Sequence, residues 1–83
     1  MSAFTVEVGS DQGHEDLIAE ILFEGEVVAV ISQERGPGIL EMKIAERESG
    51  RSWSFPLAEF ELAVKKARER LLELKKNHPP RRA

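Results

Sequence analysis

Four side chains of the kinds that bind divalent cations, Asp11, His14, Glu15 and Asp16, are gathered in the run SDQGHED. A metal site needs three or more such groups held in a fixed geometry, and a glycine-bearing loop with no apolar anchor does not supply that hold. The spacing also departs from a calcium-binding helix-loop-helix, because its glycine and closing glutamate are misplaced. The expectation is a solvated acidic loop over residues 9–16, with no metal and no cofactor. His14 and Asp11 form the best available general-base pair, yet no nucleophile is identifiable beside them. Of Ser10, Ser32, Ser52 and Ser54, only Ser10 has a histidine nearby in sequence, His14 in the same loop, and a serine triad is not expected. The glycines of RGPG, residues 35–38, suggest a phosphate cradle, but such a loop opens onto a helix N-terminus and here a strand pattern follows. With no nucleophile, base and orienting group in one place, the chain is expected not to be an enzyme.

A second chemistry is offered by the basic C-terminal third. Lys65, Arg68, Lys75, Lys76, Arg81 and Arg82, with Lys66 and Arg70 between them, form a set able to neutralise several phosphates. Glu69 and Glu73 interrupt it at helical spacing, which is the usual pattern of a solvated helix face. Stacking platforms are also missing: the sequence has no tyrosine, and Trp53, Phe55 and Phe60 fit the core better. Nucleic-acid binding through this helix and tail is therefore the alternative reading. Formal charge is minus 3 overall, but residues 1–50 hold eleven acids against three bases and residues 51–83 hold four acids against nine bases. The first part is acidic and the second basic, a division that equally favours attraction between copies.

The elements that would carry these groups follow from periodicity. AFTVEV, residues 3–8, alternates Phe4, Val6 and Val8 against Thr5 and Glu7, as a half-buried strand does. After the polar loop, residues 17–23 and 26–33 form two strands of a hairpin around Glu24-Gly25, where glycine supplies the positive φ of a primed two-residue turn. ERGPG makes the next turn, and residues 39–45 form a fourth strand with Leu40, Met42 and Ile44 on one side and Glu41 and Lys43 on the other. SWSF alternates once more, so the sheet is predicted to have four or five strands. Pro56 suits a helix start, and Phe60, Val64, Ala67, Leu71 and Leu74 form one apolar stripe, widened by Leu57 and Ala63. Leu62 and Leu72 fall off it. Pro79 and Pro80 end the helix and leave a basic tail at residues 78–83.

The run AEILFEGEVVAVISQERGPGILEMKI, followed by WSFPLAEFELAVKKARERL, resembles a family of small bacterial proteins with a β-meander and a C-terminal helix, to which no function has been assigned. The likeness spans residues 17–72 and rests on the EGE turn, the AVISQE strand and the aromatic strand that leads into the helix. It implies the order of elements and carries over no catalytic, cofactor or binding residue.

At 83 residues, with 41% hydrophobic and 33% charged, the chain has the composition of a single folded α+β domain, residues 1–77, with an antiparallel meander and one long helix packed on one face. There is no cysteine, so disulfides and thiolate chemistry are excluded. No run approaches the length of a membrane span and no signal-peptide pattern is present, so a cytoplasmic location with no membrane partner is expected. One question remains at this level. The hairpin LIAEILFEGEVVAVISQ is apolar on both faces, and one helix covers only one. If the helix covers the face bearing Leu40, Met42, Ile44, Trp53 and Phe55, the other face keeps Ile18 and Leu22 with either Val28 and Val30 or Val27, Ala29 and Ile31, according to register. A sheet curled on itself would bury them within one copy, and a larger protein partner would cover them. The favoured expectation is a homodimer, by stacked sheet faces or paired edge strands, with Ile18, Leu22, Val28 and Val30 at the interface.

Overall fold

The computed structural model describes residues 3–10, 17–35 and 39–77, with side chains up to residue 73. Four strands and one helix follow one another: β1 (Phe4–Gly9), β2 (Ile18–Phe23), β3 (Glu26–Ser32), β4 (Glu41–Ile44) and α1 (Leu57–Asn77). The strands form one antiparallel sheet in the order β1-β2-β3-β4, a meander in which every neighbour in space is a neighbour in sequence. The α+β class and the meander read from periodicity are those of the structure.

The hairpin turn has the backbone its sequence requires. Glu24 and Gly25 take φ of 53° and 87°, the paired positive values of a type I′ turn. Registers are regular between β1 and β2, from Phe4 opposite Phe23 to Gly9 opposite Ile18. Between β2 and β3 there is one bulge: Ile21 faces Ala29 while Leu22 faces Val27, so Val28 is an extra residue on the β3 side. That insertion turns Val28 toward the helix, and it is only 1% exposed within the core.

The helix starts where its backbone is first capped, with the Phe60 amide donating to the Pro56 carbonyl at 3.1 Å. Glu59 in the first turn complements the positive end of the helix dipole. Ala63, Ala67 and Leu71 are the buried positions, at steps of four. Two alanines in that stripe let the helix axis approach the sheet closely. It lies over β1 and β2. The core is thus Val6, Ala19, Ile21, Val28, Ala29 and Ile31 beneath that part of the helix.

Three expectations are corrected by the structure. The helix does sit on the face that bears Met42 and Ile44, but it does not reach them, and they are 41% and 53% exposed. Leu57, placed by spacing at the edge of the stripe, is 69% exposed. The segment SWSF is not a strand, so the described sheet has four. Its alternation serves another purpose: the Trp53 indole donates from Nε1 to the Ala45 carbonyl at 2.8 Å, and Phe55 enters an aromatic cluster with Phe4, Phe23 and Phe60 at centroid distances of 5.0, 5.3 and 5.0 Å. These rings close the end of the sheet under the start of α1.

Candidate association surface

The two faces of the sheet can be written out from the register. On the helix side lie Phe4, Val6 and Val8, then Ala19, Ile21 and Phe23, then Val28, Ala29 and Ile31, and last Met42 and Ile44. On the outer side lie Thr5 and Glu7, then Ile18, Glu20 and Leu22, then Val27 and Val30, then Glu41 and Lys43. The outer apolar residues therefore include Val27 and Val30. Val28, expected with Val30, belongs to the opposite face because of the bulge. Ile18 lies on the outer face but is only 6% exposed, whereas Leu22, Val27 and Val30 are half-buried.

Charge frames this outer stripe. Glu7 stands opposite Glu20, Glu20 opposite Val30, and Val30 opposite Lys43. The two carboxylates and Ile18 line an open depression of 170 Å³ with Val8, Gly9 and Ser10. Among the described residues no group of three metal-ligating side chains converges. Asp11, His14, Glu15 and Asp16 lie outside the described residues, as do Arg81 and Arg82. The side chains of Lys75 and Lys76 lie outside them too. Of the basic set, Lys65 and Arg68 are exposed on α1. All five aromatic rings are spent on the cluster and on Trp53, which packs 6.3 Å from Phe55 and carries the Arg47 guanidinium 5.0 Å from its own centroid. None is left as a platform for a base.

The sheet has two edges, and they differ. The Glu24 amide donates to the Ala3 carbonyl at 3.0 Å, which fixes the alternation along β1: the backbone groups of Thr5, Glu7 and Gly9 face β2, and those of Phe4, Val6 and Val8 face away. Arg70 reaches from α1 to this outward row, its Nη1 donating to the Val6 carbonyl at 2.9 Å. Beside it the helix and β1 enclose a groove of 130 Å³ lined by Phe4, Val6, Glu59, Leu62, Ala63 and Lys66. The first edge is thereby covered by the helix and its arginine. At the other edge, β4 has β3 on one side and no described strand on the other, and all four of its side chains are exposed. Glu41 meets Arg35 at 2.9 Å, an ion pair in which both side chains are well exposed.

Two structural features escaped sequence reasoning. Arg70 was one cation among eight, with nothing in its spacing to mark it as an edge cap. Gln33, just past β3, is 2% exposed; its Nε2 donates to the Leu17 carbonyl at 3.1 Å, tying the ends of the hairpin together, while its Oε1 has no partner among the described residues. Among the described residues no helix is long and apolar enough to cross a membrane. No family model, characterised protein or solved structure matches this chain, so its function must be argued from these surfaces alone.

Proposed function

We propose that the protein is a non-catalytic association module that works as a homodimer. The observation that carries this reading is β4: a strand exposed on both faces and along its edge, with Met42 and Ile44 presented to solvent on the side where the one helix has been spent on β1 and β2. Half-buried Leu40, of the same parity just before β4, extends that apolar strip, and Ile39 beside it is 52% exposed. Apolar side chains grouped on a strand whose outer edge has no partner among the described residues mark a place where another chain removes them from water. Leu22, Val27 and Val30 on the outer face add a second apolar stripe that the helix cannot reach.

Light scattering over a concentration series reaching tens of micromolar tests the reading. A mass near twice 9.3 kDa is expected, and a mass of 9.3 kDa throughout would overturn it.

A further inference from the structure

We propose that two copies join through β4, antiparallel about a two-fold axis at Met42, so that two four-stranded sheets become one continuous sheet. The inference rests on the homodimer reading and adds which surface is used and in which register.

Three independent features select the same arrangement. The first is the backbone. The Ala45 amide donates to the Val28 carbonyl at 2.7 Å, in line with the β3 pairing that sets Ile44 opposite Ala29. Alternation then turns the backbone groups of Glu41 and Lys43 toward β3 and those of Met42 and Ile44 toward the open edge. This is the rule that puts the Val6 carbonyl outward on β1, where Arg70 finds it. On β4 no described strand meets the outward groups, which form a template for strand addition.

The second feature is parity. Directly opposed residues in an antiparallel pair share a face, so Met42 must meet an even-numbered residue of the second copy. Centred on Met42, the pairing sets Met42 against Met42 and Leu40 against Ile44 on the helix side. The exposed strip of one copy is then covered by the matching strip of the other.

The third feature is charge. In that register Glu41 stands directly opposite Lys43 of the second copy, and Lys43 opposite Glu41, giving two opposite-charge pairs on the outer side. The neighbouring registers fail on this point: centring on Lys43 sets lysine against lysine, and centring on Glu41 sets glutamate against glutamate. Lys43 thus does more than keep the edge soluble. It rejects one of the two registers that would slip the sheet by two residues, and Glu41 rejects the other.

The absence of cysteine makes the register directly testable. Opposed residues at positions 41 and 43 would form a pair without mutual backbone hydrogen bonds, whose close Cα spacing, about 4.5 Å, suits a disulfide. Glu41→Cys and Lys43→Cys are made separately, both at exposed sites, with circular dichroism to confirm the fold. Under mild oxidation each variant alone should stay at single-chain mass on a non-reducing gel, and the mixture should give a band of doubled mass that a reductant removes. Cross-linking of Lys43→Cys or Glu41→Cys by itself would overturn the Met42 register. A wild-type protein of doubled mass by light scattering with no cross-link from any sample would overturn the β4 joint and leave the homodimer standing. Single-chain mass for the wild type would remove both.

Discussion

At the scale of single residues, Gln33 shows how a polar group can be retained inside a small core at a net cost. Its amide nitrogen satisfies the Leu17 carbonyl, which lies at the mouth of the hairpin, but its oxygen is buried without a partner among the described residues. An unpaired buried acceptor costs about 1–3 kcal/mol, and a neutral hydrogen bond contributes about 1 kcal/mol net. Truncation removes both terms and opens a hole. Gln33→Ala is expected to destabilise by about 1–2 kcal/mol, less than a buried apolar residue of similar size would. Gln33→Glu, which buries a charge opposite a carbonyl oxygen, should destabilise by more than the alanine variant. Chemical denaturation of the three proteins orders them. Trp53 is a simpler case, since Trp53→Phe keeps most of the apolar body while removing the bond to the Ala45 carbonyl and weakening the Arg47 contact. A loss of about 1–2 kcal/mol is expected by the same measurement, read at a concentration where the oligomeric state is unchanged.

At the scale of elements, the chain divides into parts whose local chemistry decides their structure and parts decided by tertiary packing. Glu24-Gly25 belongs to the first kind: two apolar runs separated by a dipeptide with glycine second can join only through a primed turn, and the backbone angles agree. The turn is nonetheless imperfect, because Glu24 is a non-glycine residue at φ of 53°. Asparagine tolerates that region better, so Glu24→Asn should stabilise the fold by about 0.5–1 kcal/mol, visible as a rise in the thermal midpoint. The helix stripe was legible for the same reason: Ala63, Ala67 and Leu71 are buried where the 3.6-residue period puts them. Val28 belongs to the second kind. A bulge between Ile21 and Leu22 changes the parity of one strand without any glycine or proline to announce it, so alternation alone placed Val28 beside Val30 when the two residues point to opposite faces. SWSF shows the converse error. Its period of two is real, but the partner of Trp53 is one carbonyl and that of Phe55 is a cluster of rings, and no neighbouring strand is involved.

At the scale of the whole molecule, the deciding fact is that one helix is narrower than a four-stranded sheet. The sequence shows that α1 has an apolar stripe and that the strands have apolar faces, but the lateral position of α1 is set by which side chains allow close approach. The alanines of α1 and the small or β-branched residues of β1 and β2 place it there, and β4 is left outside. Two apolar regions then compete to be the joint between copies: the strip of Met42 and Ile44 at the open edge, and the stripe of Leu22, Val27 and Val30 on the outer face. They are separable by two substitutions that introduce the same charge. Ile44→Asp alters a side chain that is 53% exposed, so the fold survives, but it places a carboxylate against Leu40 of the second copy in an edge-paired dimer. Val30→Asp alters the outer face, one strand removed from the edge, where Glu20 and Lys43 are its cross-strand neighbours. Edge pairing predicts that Ile44→Asp weakens association by about ten-fold or more, equivalent to about 1.4 kcal/mol, while Val30→Asp changes it little. Sedimentation equilibrium on the two variants, each checked for native circular dichroism, gives the comparison. The opposite order would mean that the sheets stack through their outer faces, with β4 left as an exposed strand held apart from other copies by Lys43.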